Sequence, residues 1–278
     1  MLYNQYGYPL RRNPAFTPPA GGSGLQADVP STCFVLEASN IDSTDGSSQT
    51  WSNVITSPAD GSAQTDFDMY RGATSSATTD DPTFTGTAGV PGAYWLLDGG
   101  DVFTSITATP PGFLADIHKT TGGTAWWVAF AGRIPNASTK CIWSTQNTAA
   151  AAGYRCQSGS TENIQLFQHS GTDPRSINTA YTHGSDTDFI VIISGQAGGG
   201  VTRYWGNTRT NSTVTLTFAT ASTDPGGKFT LGGISPTATR LPNTSRIYGL
   251  IGGNDYIDDT AAGYIFDYMN TSVGVTFA

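Results

Sequence analysis

The side chains able to carry proton, metal or nucleophile chemistry are few and scattered. Glutamate occurs twice, at Glu37 and Glu162, in separate segments. Glycoside hydrolysis needs two carboxyl groups flanking one bond, and this pair does not suggest such a partnership. The other 19 acidic residues are Asp, clustered as Asp66/Asp68, Asp80/Asp81, Asp98/Asp101, Asp186/Asp188 and Asp255/Asp258/Asp259. Most lie among Gly, Ser and Thr, where Asp is favoured for hydrogen bonding to nearby backbone. His118, His169 and His183 have no Gly-x-Ser-x-Gly or Cys-His pattern near them, so no nucleophile–base pair is legible. Cys33, Cys141 and Cys156 are odd in number and lack metal-type spacing. They read as buried free thiols, with a Cys141–Cys156 bridge across a hairpin as the alternative. The chain therefore reads as non-catalytic. Binding chemistry is easier to place, because Trp51, Trp205 and Tyr256 stand beside polar loops. Exposed, such rings could stack on pyranose faces; buried, they would fill a core.

The elements that must position these residues are strands. The 278 residues are 12% charged with a net charge of −8, and they include 34 Gly and 41 Thr. Thr favours pleated structure and Gly favours turns, whereas long Leu/Glu/Lys/Ala stretches of helical period are absent. The acidic balance, with no Lys/Arg cluster, argues against a nucleic-acid partner. Strand signals run through 33–36, 93–103, 141–145, 153–157, 163–168, 188–196, 201–208, 213–220, 228–233 and 273–278. In 124–134, Trp126, Val128 and Phe130 alternate with Trp127, Ala129 and Ala131. Both faces are apolar, which predicts a central strand covered on both sides. Gly206-Asn207 suits a two-residue hairpin. Residues 37–92 read as polar loop apart from Trp51. One helix is predicted over 258–269, with Asp258 as N-cap and a stripe of Tyr264, Ile265, Tyr268 and Met269.

Residues 1–30 differ from the rest. They hold Pro9, Pro14, Pro18, Pro19 and Pro30, with Tyr3, Tyr6, Tyr8, Arg11 and Arg12. This composition predicts either a disordered tail or an extended arm that orders against a partner, tyrosines and arginines being its anchors. No secretory h-region opens the chain and no run of about 20 apolar residues occurs. Synthesis and folding in the cytoplasm of a host cell, without membrane insertion, is the expectation.

The order of these segments resembles the concanavalin A-like lectin/glucanase superfamily in its laminin-G-like branch. The matching pieces are FVLEASNIDSTDG before Trp51, YWLLDGGDVF, WWVAFAGRI, CIWST, GYRC, NIQLFQ, FIVIISGQ, FTLGG and DDTAAGYIFDYM. The resemblance implies an all-β fold over 31–278, a two-sheet antiparallel jelly-roll sandwich with one short C-terminal helix. Retaining glucanases of this family carry a Glu-x-Asp-x-x-Glu arrangement that is missing here. Related domains can hold calcium with loop Asp and backbone carbonyls, which makes Asp98 and Asp101 the metal-ligand candidates, followed by Asp255 with Asp258.

The arm, the low-charge Thr/Gly-rich sandwich and the absence of a visible active site also resemble virion proteins of tailed bacteriophages. The expected role is a capsid decoration or head-fibre protein, with a tail-fibre adhesin or a carbohydrate-binding module as the alternative and a glycoside hydrolase behind both. Its partners would be other virion proteins of capsid or tail, further copies of itself in a homotrimer, and a cell-surface glycan bound weakly at each copy.

Overall fold

The computed structural model describes residues 23–135, 139–234 and 238–274. Two antiparallel sheets of eight strands pack face to face. The first contains β1 (Thr32–Glu37), β4 (Thr83–Thr85), β5 (Tyr94–Leu96), β7 (Trp126–Arg133), β12 (Asp188–Gly195), β13 (Gly200–Gly206), β14 (Ser212–Leu216) and β16 (Arg246–Gly253). Its order is β14-β13-β12-β7-β16-β5-β4, and β1 also pairs with β16. The second contains β2 (Thr50–Trp51), β3 (Met69–Arg71), β6 (Phe103–Ser105), β8 (Lys140–Ser144), β9 (Gly153–Ser158), β10 (Asn163–His169), β11 (Pro174–Thr182) and β15 (Thr230–Leu231). These run in the order β11-β10-β9-β8-β15-β6-β3-β2. Helices α1 (Ser23–Asp28) and α2 (Asp259–Ser272) complete the structure. This is the expected all-β jelly-roll sandwich with a short C-terminal helix.

Strand β7 shows why the sandwich has a third layer. Trp126, Val128 and Phe130 enter the core between the sheets together with Trp143, Tyr154 and Phe189. Trp127, Ala129 and Ala131 face the other way and are covered by α2 through Ile265, Phe266 and Met269, with Leu25 and Val29 beside them. The alternation read from the sequence is thus met by two apolar covers, one a sheet and one a helix pair. Asp258 caps α2 as expected, its Oδ1 accepting from the N–H groups of Thr260 and Ala261, which satisfies two otherwise orphaned donors.

Several expectations change. Residues 23–30 are not extended arm: Ser23–Asp28 are helical, and Leu25 and Val29 are buried in the layer beneath α2. Apolar side chains at a spacing of four, here Leu25 and Val29, favour a helical turn docked on a surface. Residues 1–22, with Tyr3, Tyr6, Tyr8, Arg11 and Arg12, lie outside the described residues. At the other end Val273 is the C-cap of α2 and not the start of a strand, and 275–278 are outside the described residues. The predicted Gly206-Asn207 hairpin is a longer loop, 207–211, between β13 and β14. Gly206 stays in its strand because the Tyr181 ring packs where its Cβ would be. Asn207 takes the positive φ of 51°, and its Oδ1 accepts from the Ile190 N–H at 2.8 Å. Strand β16 was unforeseen, since Gly249, Gly252 and Gly253 interrupt its apolar run. Those glycines are where β1 and the rings of Phe34 and Trp127 approach its backbone.

Candidate functional site

The three aromatic candidates separate by layer. Trp51 is fully buried between the sheets, its ring 4.9 Å from that of Phe103 and 5.9 Å from that of Trp95. Trp205 is fully buried on the outer side of the first sheet, and its Nε1–H donates to Asp259 Oδ1 at 2.8 Å. Neither can stack on a sugar; both are packing residues, because a sandwich with two covered faces needs large rings on each. Tyr256 is different. It is half-buried and lines a surface cleft of about 330 Å³.

The cleft forms where the end of α1 meets the segment between β16 and α2. Asp28, Pro30 and Ser31 make one side, and Asp255, Tyr256 and Asp258 the other. Its walls are held from below. Asn254 N–H donates to Ser31 carbonyl at 3.1 Å, Ser31 Oγ accepts from Trp127 Nε1–H at 3.0 Å, and Ile257 N–H donates to Ser194 Oγ at 3.1 Å. Arg203 reaches up from β13, places its guanidinium carbon 4.3 Å from the Tyr256 ring centre and donates to the Ile257 carbonyl at 2.7 Å. A guanidinium over a ring both orients it and is attracted to its face. Asp255 Oδ1 accepts from the Tyr256 N–H at 2.7 Å, and Asp258 uses Oδ1 for the helix cap. An oriented aromatic with carboxylates around it suits a ligand rich in hydroxyl groups, the ring offering an apolar face and the carboxylates accepting hydrogen bonds.

Arg203 and Asp28 were not singled out by the sequence. Asp28 fell in the stretch read as arm, and Arg203 gains its role only from a contact 53 residues further along. The one available signal was an arginine inside an otherwise uncharged strand, VTRYWGNT.

Elsewhere the polar residues serve the fold. Glu37 ends β1 in the first sheet and Glu162 lies between β9 and β10 in the second. Asp66 caps the short 3-10 turn Gln64–Phe67, while Asp80 and Asp81 accept from Ala73 N–H and Thr78 N–H. His118 is buried with Nε2 3.0 Å from the Thr223 carbonyl, and His169 Nδ1 accepts from Gly171 N–H. His183 and Ser158 do form a serine–histidine pair, Nε2 to Oγ at 2.8 Å, with Nδ1 2.9 Å from the Gly184 carbonyl. Both members are buried and the His183 ring stacks on Phe189, so the contact ties β9 to the segment after β11. Burial holds His118 and His183 below the ordinary imidazole value. The three cysteines are buried and free.

The Asp98/Asp101 turn does not fit calcium as arranged. Asp98 Oδ1 accepts from Gly100 N–H and Asp101 Oδ2 from Asp98 N–H, so the pair satisfies its own turn. Arg240 already supplies positive charge beside it. Asp101 is buried, its Oδ1 has no partner, and desolvation raises its carboxyl to about 6. A calcium ion wants six to eight oxygens, and among the described residues no group of three or more acidic, His or Cys side chains is arranged to hold a metal ion. Asp255 and Asp258 are likewise committed in part to backbone N–H groups.

No family model and no curated protein sequence matches the chain. Solved structures do. Trypanosoma rangeli sialidase in complex with sialic acid superposes at a TM-score of 0.55 with 7% identity, covering 87% of this chain and 34% of that one. The same enzyme as its covalent intermediate with 2,3-difluorosialic acid gives 0.53 and 9%, over 87% and 33%. The botulinum neurotoxin serotype D binding domain gives 0.51 and 10%, over 88% of this chain and 52% of that one. At such identities the likeness is one of fold, a β-sandwich. The chain spans about a third of the sialidase and about half of the toxin domain. These neighbours overturn the non-catalytic reading: sialidases, which are enzymes, contain this fold. Scarcity of Glu speaks only against chemistry that needs two of them.

Proposed function

We propose that this protein is a glycan-binding β-sandwich of the concanavalin A-like kind, displayed on a tailed-bacteriophage virion as a capsid decoration or head fibre. The observation that carries glycan binding is the cleft in which Arg203 orients Tyr256 beside Asp28, Asp255 and Asp258. Sandwich neighbours in a sialidase and a toxin binding domain are consistent with that use of the fold. The virion reading is supported by composition: a Tyr, Arg and Pro-rich stretch over 1–22 ahead of a low-charge Thr/Gly-rich sandwich. In that reading Tyr3, Tyr6, Tyr8, Arg11 and Arg12 anchor the chain to capsid or tail proteins, and a homotrimer multiplies weak contacts.

The test is a glycan array followed by titration of the best binder against wild type and Tyr256→Ala. Retention of the fold with at least a tenfold loss of affinity, about 1.4 kcal/mol, is expected. Equal affinity in the variant, or no glycan bound by the wild type, would overturn it. Anchoring is tested by removing residues 1–22, leaving α1 intact, and measuring attachment to undecorated particles. Unchanged attachment would end that part of the proposal.

A further inference from the structure

Glu37 is one of the most deeply buried acids in the chain, and its hydrogen bonds bear on which form it takes. It closes β1, where it is opposite Gly249 of β16. That glycine leaves space through which the glutamate reaches α2. Tyr268 OH donates to Oε2 at 3.2 Å, and Ser272 Oγ lies 2.7 Å from Oε1. Ser272 Oγ also lies 2.8 Å from the Tyr268 carbonyl. A serine hydroxyl has one hydrogen, and a carbonyl can only accept. If that hydrogen goes to the carbonyl four residues back, as helical serines commonly arrange it, the Glu37–Ser272 contact needs a proton from Glu37. The protonated acid then donates to Ser272 and accepts from Tyr268, and every group in the network is satisfied.

Among the described residues no cation is paired with a charge there. The titratable side chain that faces Glu37 from α2 is the Tyr268 phenol; β16 presents Gly249, and the loop after β1 presents the uncharged Asn40 and Ser43. Among the described residues no Lys, Arg or His forms an ion pair with it.

We propose that Glu37 is a proton-operated latch: as a neutral acid it fastens the C-terminal turn of α2 to β1, and losing its proton releases that turn. Desolvation, partly opposed by the hydrogen bonds that Ser272, Tyr268 and Asn40 would give the charged form, lifts its carboxyl from an ordinary 4.5 to about 7. The folded form therefore binds more protons than the unfolded one. The stabilisation is complete below pH about 4.5 and declines as pH rises, to be lost above about 7. Release would also loosen the 87–92 loop, since Gly92 N–H donates to the Val273 carbonyl that follows the turn.

The experiment is hydrogen exchange of residues 262–272 in the full chain at pH 5.5 and 8.0, corrected for intrinsic rates. Wild type should lose protection by a factor of about 30, from a carboxyl that titrates near 7 when folded and near 4.5 when open. Glu37→Gln should lose none, because its amide donates to Ser272 and its carbonyl accepts from Tyr268. Equal protection of wild type at both pH values, or an equal loss in Glu37→Gln, would overturn the latch. Should that variant fail to fold, wild type alone decides: with only two glutamates, selective carboxyl labelling yields two resonances. One titrating near 7 supports the proposal, and both titrating near 4 refute it.

Discussion

Asn53 offers the most demanding test of how the sandwich is held. It is fully buried just after β2, and its side chain meets backbone from three segments. Oδ1 accepts from Val35 N–H at 2.9 Å and Ile55 N–H at 3.0 Å; Nδ2 donates toward the carbonyls of Cys33, Gln64 and Ile55 at 3.2 to 3.4 Å. Its own N–H donates to Asp68 Oδ1 at 2.7 Å. The amide thus ties β1 of the first sheet to the strand that opens the second. Asn53→Ala strands two buried N–H donors, each worth about 1–3 kcal/mol when left unpaired. The carbonyls lose weaker bonds, so a total of about 3–5 kcal/mol is expected. In urea this should appear as a lower midpoint with an unchanged m-value. In a thermal scan it should lower Tm by roughly 10 °C at the usual few degrees per kcal/mol for a chain of this size. Asn53→Asp supplies the contrast. It keeps the acceptor, loses the donor and sets a carboxylate beside Asp68, which burial already pushes to about 6, so its penalty should grow between pH 5 and 8. A loss below about 1 kcal/mol for Asn53→Ala would refute the idea that this amide joins the sheets.

Two further outcomes follow from other contacts in the structure. Gly253→Ala should cost about 3 kcal/mol by overpacking, read in the same urea assay, because its Cβ would press into the Ser31 carbonyl and lie 2.5 Å from Trp127 Nε1. Asp188 receives Arg133 Nε at 2.8 Å, Arg133 NH2 at 3.0 Å and Tyr248 OH at 2.9 Å. Burial alone would raise its carboxyl, but these donors outweigh it and hold it below the ordinary value. The stabilisation is therefore present at neutral pH and lost as pH falls through and below the normal carboxylate range. Asp188→Asn should cost about 2 kcal/mol at pH 7, a deficit that shrinks in acid unfolding curves.

How far the sequence could be read depended on whether a signal was local. The two faces of β7 were legible because alternation is a property of neighbours along the strand. The Asp258 cap and the stripe of α2 were legible for the same reason. Strand β16 was hidden because its glycines are chosen by what approaches from β1 and Trp127, residues far away in the chain. The short strands β2, β3 and β4 were read as loop, since two or three residues carry no period. The start of the sandwich could not be placed correctly, as the reason Leu25 and Val29 are buried is a helix more than 230 residues later.

The sequence by itself determined the class of fold, through Thr, Gly and alternating apolar residues that suit pleated strands and turns. It also showed that glutamate is scarce, two in the chain, while the structure puts Glu37 on the first sheet and Glu162 on the second. Tertiary structure decided which aromatics are free to meet a ligand and which charges are. Trp51, Trp205 and Tyr256 look alike in one dimension, each beside polar neighbours. Only the packing of two sheets and a helix buries the first two and leaves the third at a cleft with Arg203 beneath it. The same holds for Glu37: the sequence puts it just past an apolar strand signal, in what reads as loop, whereas its place in β1 and its burial arise from pairing with β16 and from a helix that folds back over it.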